Sequence, residues 1–171
     1  MPLKASGVTF RDATEADLPA ILAIVNDAIL NTTALWIDDP VDLDNRRAWF
    51  EARRSQGYPV IIAERDGQVA GFGSYGAFRT GDGYRNSVEH SIYVRADLRG
   101  QGIGAPLLRA LEDIARGQGK RAMIGGVEGS NTASLQLHRK LGFVDSGRLP
   151  HVGFKFGRWL DLVFMTKALS A

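Results

Sequence analysis

The 171-residue chain contains no cysteine and only three histidines. The absence of cysteine excludes a disulfide framework, a thiolate nucleophile, an acyl-thioester carried on the protein and a zinc site with cysteine ligands. The histidines, His90, His138 and His151, are too widely spaced for the His-x-x-x-His pair with which a helix binds zinc. We therefore expect no metal site and no covalent cysteine chemistry.

Long hydrophobic runs are also missing. No stretch approaches the about 20 apolar residues that a membrane-spanning helix requires. The opening residues 1–8 lack the apolar run of a secretory signal peptide. We expect a cytoplasmic protein that has no membrane partner.

The sequence has little excess of charge of either sign. The 21 lysines and arginines against 19 aspartates and glutamates leave a formal net charge of +2. These charges are spread evenly along the chain and form no basic stripe of the kind that nucleic-acid-binding proteins present. We therefore expect no nucleic-acid partner.

The length and the apolar pattern indicate one domain that spans residues 1–171. Domains hold about 100 to 200 residues, and the 44% hydrophobic content is enough to close one core. Apolar residues at three- and four-residue spacing after Thr14 predict an amphipathic helix, and Asp42 caps a second helix that stops near Gly57. Residues 60–64 and 68–75 flank an Asp66-Gly67 turn and predict a hairpin.

The second half of the chain alternates strands and helices. The pattern predicts a strand over residues 88–94, a helix from residue 103 to a glycine at 117 or 119, and a strand over residues 121–127. A further helix opens at Ser130 or Asn131 and ends at Gly142, and strands over residues 143–149 and 158–166 are joined by a loop over residues 151–157. These elements predict a mixed α/β (α+β) fold, with one central sheet and helices on both faces.

A glycine-rich turn lies between the strand of residues 88–94 and the helix that follows it. Glycines alternate with other residues from Gly100 to Gly104, directly after Arg99. Glycine permits positive φ and leaves room for phosphate oxygens, so several backbone N–H groups at the positive end of a helix can face one anion. The turn therefore predicts a pyrophosphate-binding cradle, and the alternative is a tight turn without a ligand.

The same turn also satisfies a dinucleotide-binding pattern. Residues 100–105 fit Gly-x-Gly-x-x-Gly/Ala, and Glu128 ends the next strand, where a ribose-binding acid would lie. In a dinucleotide fold the first glycine comes directly after the first strand, whereas here residues 95–99 intervene and two helices and a hairpin come first. This context argues against a dinucleotide, and no Gly-x4-Gly-Lys-Ser/Thr motif is present for a nucleoside triphosphate.

Three motifs together resemble the GCN5-related N-acetyltransferase (GNAT) family. They are Arg99-x-x-Gly102-x-Gly104 after the strand, then Asn131-x-x-Ser134, then Leu141-Gly142-Phe143. The order of the preceding helices and hairpin also fits the family. Finer features resemble one branch, the phosphinothricin and methionine sulfone or sulfoximine acetyltransferases: Tyr84, Val88-Glu89, Ile92-Tyr93-Val94 and the segment of residues 153–159.

The resemblance implies an acetyl-CoA site, with acetyl-CoA as co-substrate. In the family, the strand backbone hydrogen-bonds the pantetheine arm, the glycine turn binds the pyrophosphate, and the asparagine lies beside the pantetheine. The implied acetyl-CoA-binding residues are Ile92, Tyr93, Val94, Arg99, Gly100, Gln101, Gly102, Ile103, Gly104, Ala105, Asn131 and Ser134. The alternative role for Asn131 is a plain helix cap. The branch also implies a homodimer, in which residues 154–156 lie at the mouth of the cleft or complete a neighbouring subunit's site.

An amine that attacks a thioester must lose a proton, so the site needs a base. Glu89 is the candidate, because it shares a strand face with Ser91 and Tyr93 beside the expected cofactor segment, and the branch has its proposed base at this position. The alternative is a solvent-facing strand glutamate. A backbone N–H near Ile92 would donate to the thioester oxygen. His138 stands where many family members have a tyrosine, and it either protonates the leaving thiolate or packs beside the cofactor.

The arginines and aromatic residues near Glu89 in the predicted site indicate which kind of molecule accepts the acetyl group. Arg79 and Arg85 bracket the loop before Glu89, and guanidinium groups suit a substrate carboxylate. The predicted side-chain pocket consists of Trp36, Tyr75 and Tyr84, and would enclose an apolar or sulfur-bearing group. The alternatives are ordinary surface charges and core aromatics. We expect a small amino-acid-like acceptor rather than a polyamine; the remaining functional alternatives are another amine acetyltransferase and a non-catalytic acyl-CoA-binding module.

Overall fold

The structure, a computed structural model, describes residues 7–169. Most of the opening segment on which the signal-peptide expectation rests, residues 1–6, lies outside the described part. The strands are β1 (Val8–Asp12), β2 (Val60–Arg65), β3 (Gln68–Ala77), β4 (Ser87–Val94), β5 (Ala122–Glu128), β6 (Val144–Lys155) and β7 (Arg158–Ala168). The α-helices are α1 (Leu18–Asn31), α2 (Leu43–Ser55), α3 (Gly104–Gly117) and α4 (Thr132–Lys140).

The strands form one mixed sheet in the order β1-β2-β3-β4-β5-β7-β6. Its pairs are antiparallel except for β4 and β5, which run parallel. The predicted hairpin is confirmed: β2 and β3 pair across Asp66 and Gly67, and both turn residues have positive φ, as a two-residue hairpin turn requires.

Helices cover both faces of the sheet, as predicted. One core lies under α1 and α2 and includes Ile21, Phe50 and Phe72. The other lies under α3 and α4 and includes Leu107 and Leu135. The alternation of β4 assigns Val88 and His90 to the α3 face, whereas Glu89, Ser91 and Tyr93 lie on the opposite face. No helix in the described residues is long and apolar enough to span a membrane.

The predicted loop over residues 151–157 is wrong. β6 continues to Lys155, and only a tight turn at Phe156 and Gly157 separates it from β7. The register shifts between Leu149 and Gly153, where His151 has a φ of 55°. Among residues 7–169, β6 pairs with β7 alone, and an edge strand tolerates such an irregularity because no strand pairs with its outer side.

Candidate active site

The central feature of the site is a gap between two parallel strands. β4 and β5 pair only over Ser87–Glu89 and Ala122–Ile124, although both strands continue beyond this point. On its other side β4 stays paired with β3 as far as Val94. The backbone of Ile92, Tyr93 and Val94 therefore has polar groups on the gap side that an amide-bearing ligand can pair with, in the manner of an added strand.

The glycine turn lies at the open end of this gap. Gly100 and Gly102 have φ angles of 75° and 80°, and a Cβ built on either would meet no atom within 4 Å. The two positions therefore combine the backbone conformation that glycine favours with empty space in front of it. The turn leads into α3, a 14-residue helix, whose first N–H groups point out of its N-terminus. This geometry fits a pyrophosphate.

The other residues of the turn hold it in place. Arg99 donates to the Val94 carbonyl and forms an ion pair with Asp27 of α1 at 2.8 Å. Gln101 accepts from Arg65 and donates to the Asp97 carbonyl.

The remaining predicted members of the turn anchor the start of α3. Ile103 is fully buried, Ala105 packs against the same core, and a Cβ on Gly104 would lie 3.3 Å from Leu137. These three residues therefore fix the position of α3, and Gly100 and Gly102 leave the space for a ligand.

Asn131 caps α4, and it also lines the gap. Its Oδ1 accepts from the Ser134 N–H at 3.2 Å, which is the helix-cap role. Both residues lie on a cavity of about 200 Å³, here called the Glu89 cavity, whose lining includes Glu89, Ser91, Tyr93, Glu128 and His138. The cap role and a position beside the pantetheine arm are therefore compatible.

Glu89 lies where the two strands begin to separate. Its Oε1 is 3.8 Å from the position that a Cβ on Gly126 would occupy, so the carboxylate stands over a bare stretch of β5 backbone. The residue is exposed towards the cavity. Desolvation raises the pKa of Glu89, and the charge of Arg79 opposes that rise. A carboxylate with a raised pKa in a cleft is a candidate proton acceptor.

Hydrogen bonds occupy both ring nitrogens of His138, the predicted general acid. The Nδ1 of this buried ring lies 2.7 Å from the Ser134 carbonyl, so Nδ1 carries the proton and donates. Its Nε2 lies 3.1 Å from Nε2 of His90 and accepts from it. Burial lowers the pKa of both rings, to about 3 for His90. Both rings are neutral, and the geometry does not support His138 as the general acid.

The two predicted carboxylate-binding arginines differ in their surroundings. Arg79 is exposed, stacks over Phe78 at 5.2 Å and lies close enough to Glu89 to oppose the rise of its pKa. Arg85 donates instead to the Asp82 carbonyl of its own loop at 2.7 Å. Tyr84 is exposed on the same loop. The structure therefore brings Arg79, and not Arg85, into the electrostatic surroundings of Glu89.

Tyr75 is not an acceptor-site residue. It is 1% exposed and pairs in register with His90, so its side chain lies on the α3 face, opposite to Glu89. Its hydroxyl donates to Gln118 at 2.7 Å. The aromatic pattern suggested a pocket, but the strand register assigns this ring to the core.

Trp36 supports the loop of residues 32–42 between α1 and α2, here called the acceptor loop after the role that we propose for it below. Its indole N–H donates to the Thr33 carbonyl, and a Cβ on Gly153 would overlap its ring, so the indole packs flat against β6. Ala34 and Leu35, which directly precede Trp36 in this loop, line the Glu89 cavity. Trp36 itself lines neither the Glu89 cavity nor the cavity beside it, so its contact with the substrate stays a prediction.

Lys155 fastens the same loop. Its side chain is buried, and its ammonium group donates to the carbonyls of Ile29, Thr32 and Leu35 at 2.5, 2.8 and 2.5 Å. These carbonyls lie at the end of α1 and in the loop that follows. A lysine in a glycine-containing segment gave no sign of this role, because its partners lie more than 100 residues earlier in the chain.

Glu128 is a second carboxylate in the Glu89 cavity. Its oxygens accept from the N–H and the hydroxyl of Ser130, at 3.0 and 2.6 Å, and from the Thr33 hydroxyl at 3.3 Å. These bonds tie β5 to the acceptor loop. From the sequence, Glu128 was a candidate only for binding a ribose. A carboxylate two residues before a serine is typical of a turn in which the side chain accepts from the backbone, and this pattern was the available signal.

Comparison with known proteins agrees with this geometry. The sequence model of the Acetyltransferase (GNAT) family matches residues 21–143. The chain is 57% identical over 158 residues, 92% of each protein, to an L-methionine sulfoximine/L-methionine sulfone acetyltransferase of Pseudomonas paraeruginosa. It is 52% identical over 163 residues, 95% of each, to an L-amino acid N-acyltransferase of Escherichia coli.

A solved structure resembles the whole fold. The structure of the protein yncA from Salmonella typhimurium, determined with its cofactor acetyl-CoA, superposes with a TM-score of 0.93 at 49% identity, over 96% of this chain and 95% of that one. The chain belongs to the GNAT family and is an acetyl-CoA-dependent N-acetyltransferase. The family, the fold and the acetyl-CoA co-substrate predicted from the sequence are confirmed.

Proposed function

We propose that this enzyme transfers the acetyl group of acetyl-CoA to the α-amino group of a small amino acid with an oxidised side chain, such as methionine sulfone, methionine sulfoximine or phosphinothricin. The observation that carries the proposal is the Glu89 carboxylate, with its raised pKa, standing over Gly126 where β4 and β5 separate. The names of relatives more than 50% identical support the acceptor class.

Glu89 takes the proton of the attacking amine, directly or through one water. An α-ammonium group is protonated at neutral pH, so nucleophilic attack needs a nearby acceptor for its proton. The raised pKa of Glu89 makes it a better acceptor than a carboxylate in bulk water. Attack on the thioester is then direct, without an intermediate bound to the protein.

The chain supplies position and polarisation on the acetyl-CoA side. The gap-side backbone of residues 92–94 aligns the pantetheine arm, and Gly100 and Gly102 receive the pyrophosphate. A backbone N–H near Ile92 donates to the thioester oxygen as charge develops there. The ammonium group loses two protons as it becomes an amide: Glu89 takes one, and the departing thiolate of coenzyme A takes the other from solvent. A thiolate is a good leaving group, so this step needs no dedicated acid, in keeping with the neutral state of His138.

Arg79 binds the acceptor's carboxylate. Its guanidinium lies close enough to act on Glu89, and a fork of N–H donors matches a carboxylate. A carboxylate held there sets the α-amino group of the same molecule beside the base. This arrangement favours amino acids over polyamines, which would need acidic walls.

An acceptor panel tests the proposed function. L-Methionine sulfone should be acetylated with a kcat/KM at least about tenfold above that of 3-(methylsulfonyl)propylamine, which lacks only the carboxylate. Spermidine should be a poor acceptor. Release of coenzyme A, measured with a thiol reagent, gives the rates without background because the enzyme has no cysteine.

Two arginine variants serve as a matched pair. Arg79→Ala should remove most of the preference for the carboxylate-bearing acceptor, whereas Arg85→Ala, in the same loop, should retain it. An enzyme that acetylates the carboxylate-free amine as well as methionine sulfone would contradict the proposal.

We further infer a cytoplasmic homodimer. Large apolar side chains are exposed on β6, on β7 and in the turn between them, at the edge of the sheet: Leu149, Val152, Phe154, Phe156 and Trp159. An exposed apolar patch on an edge strand is typical of an interface with a second chain. Phe154 and Phe156 flank the buried Lys155 that fastens the acceptor loop, so an interface here would adjoin that loop.

Light scattering measures the assembly. The 18.6 kDa chain should elute with about twice that mass, and Trp159→Lys should convert it to a monomer because a charge would be buried in the interface. Leu30→Lys on α1, where the leucine is 51% exposed, is the control and should leave the mass unchanged. A wild-type monomer at micromolar concentration would refute the dimer.

A further inference from the structure

Two arginines of α2 line a second cavity beside the Glu89 cavity. This cavity, here called the arginine cavity, has a volume of about 200 Å³ and shares Leu35, Ser91 and Tyr93 with its neighbour. Arg46 and Arg53 both border it. A molecule with its amine at Glu89 can therefore extend past Ser91 into the arginine cavity.

The two guanidinium groups are partly buried without an ion-pair partner in the described residues. Arg46 donates to the side-chain oxygen of its neighbour Asn45, at 3.0 and 2.7 Å, and Arg53 donates to the Ser74 hydroxyl at 3.1 Å. Desolvation lowers the pKa of both arginines. Tyr93 opposes this for Arg46 and Tyr58 opposes it for Arg53, while the charge of Arg53 lowers the pKa of Arg46 further. A ligand with oxygens in this cavity would offset part of the cost of desolvating the two like charges.

Arg46 and Arg53 lie on the same face of α2, on either side of Trp49. Positions 46, 49 and 53 lie on one face of α2, and both guanidinium groups lie over the ring of Trp49, at 5.1 and 5.9 Å. A Cβ on Gly76 would overlap the guanidinium of Arg53, so the side chain rests directly on β3. Gly76 pairs with Glu89 across the β3–β4 ladder. The pair is therefore aimed at the sheet face that carries Glu89.

The rest of the lining is mostly apolar. It includes the side chains of Val25, Ile29, Leu35, Ile37, Val41 and Phe72. A bare carboxylate would bind the arginines but would leave the apolar walls without a contact. A group with oxygens on one side and methyl or methylene groups on the other would contact both the arginines and the apolar walls. The cavity volume of about 200 Å³ leaves room for several water-sized groups, enough for a short side chain such as that of methionine sulfone.

We propose that the arginine cavity is the side-chain subsite of the acceptor, in which Arg46 and Arg53 donate to the oxygens of an oxidised sulfur or phosphinate. The proposal rests on the proposed acetylation of amino acids and names the determinant of its side-chain specificity. The acceptor's carboxylate remains with Arg79, so the two ends of the molecule are bound by different arginines. An unoxidised side chain of the same length would leave the guanidinium groups desolvated and unpaired.

The test compares L-methionine sulfone, L-norleucine and 3-(methylsulfonyl)propylamine. Norleucine keeps the carboxylate and lacks the side-chain oxygens, whereas the amine keeps the oxygens and lacks the carboxylate. Arg46→Met should lower kcat/KM for both sulfones by about 10- to 100-fold, the effect of a hydrogen bond to a charged group, and should change that for norleucine by less than about threefold. Arg53→Met should act in the same direction.

Arg47→Met is the control, because Arg47 lies on the same helix, is exposed and pairs with Asp44. It should leave all three substrates unaffected. Equal losses for norleucine and the sulfones would mean a structural effect and would overturn the proposal, as would a wild-type enzyme with no preference for the sulfone over norleucine. A loss confined to the two carboxylate-bearing substrates would assign the arginines to the carboxylate instead, also against the proposal.

The same measurements distinguish an error in the proposed function from an error in the proposed subsite. If the wild-type enzyme acetylates none of the amino acids, the acceptor class is wrong. If it acetylates methionine sulfone well and Arg46→Met retains the full preference for it, only the subsite is wrong. Thermal unfolding of each variant shows whether it is folded, and Arg46→Met carries the conclusion if Arg53→Met, which loses the bond to Ser74, does not fold.

Discussion

Replacing Glu89 by glutamine should lower kcat by about 10² to 10⁴-fold, the usual contribution of a positioned general base. Glutamine keeps the shape and one acceptor oxygen but cannot take a proton at neutral pH. Acetyl-CoA affinity should hardly change, because the carboxylate faces Gly126 of β5 and is not one of the backbone groups that we propose to bind acetyl-CoA. Calorimetry with acetyl-CoA and steady-state rates with L-methionine sulfone separate the two quantities.

Glu128→Gln is the matched control. Glu128 lines the same cavity, but hydrogen bonds from Ser130 and Thr33 already occupy its oxygens. Its loss should affect the acceptor loop more than the proton transfer, so kcat should fall much less than in Glu89→Gln. If instead Glu128→Gln is the inactive variant and Glu89→Gln retains near wild-type kcat, the base is Glu128.

The pH profile adds a signature of the base. Desolvation raises the pKa of Glu89, and only the ionised form accepts a proton, so kcat/KM should fall as pH falls through a value above the usual carboxyl range. Ionisation of the acceptor ammonium produces a second limb at higher pH. Glu89→Gln should abolish the lower limb and retain the upper one, which distinguishes the two ionisations.

The local parts of the fold were predictable from the sequence. The turn at Asp66 and Gly67, the Asp42 cap and the positive φ of Gly142 each depend on neighbouring residues in the chain, and all three are present. β6 was only partly predicted, because its length is determined by pairing with β7. Pro150, together with Gly147 and Gly153, resembles loop composition when the partner strand is unknown.

The acetyl-CoA side of the site was more predictable than the acceptor side. The glycine turn is a contiguous motif, whereas the acceptor side is assembled from α2, the loop after α1, β4 and β6. Tyr75 was assigned wrongly because the face of a β3 residue relative to Glu89 depends on the β3–β4 register, which alternation within one strand does not determine.

The paired arginines of α2 did leave a signal. Arg46 and Arg53 flank Trp49 at helical spacing, on the face where a surface helix normally places apolar residues. Two cations on a buried face indicate either ion pairs or a ligand. Choosing between them required the structure, in which neither arginine has a carboxylate partner among residues 7–169.

Replacing Gly102 by valine should weaken acetyl-CoA binding by about 10- to 100-fold and leave a folded protein. A Cβ on Gly102 would meet no protein atom within 4 Å, so it would enter the open space before α3 in which we propose that the pyrophosphate binds. Its φ of 80° also disfavours a branched side chain, so the turn would shift and its N–H groups would no longer converge. Loss of one hydrogen bond from these groups to a charged phosphate accounts for the expected change.

Gly119→Val provides the control for backbone strain. Gly119 follows the opposite end of α3, has a φ of 74° and also has no atom within 4 Å of a built Cβ. Both variants should lose similar stability, about 1 to 3 kcal/mol, but only Gly102→Val should lose affinity for acetyl-CoA. Calorimetry with S-acetylpantetheine, which lacks the pyrophosphate, completes the test: Gly102→Val should bind it as the wild type does, and should have lost most of the wild-type preference for acetyl-CoA. An unchanged acetyl-CoA dissociation constant in Gly102→Val would remove the pyrophosphate from this turn.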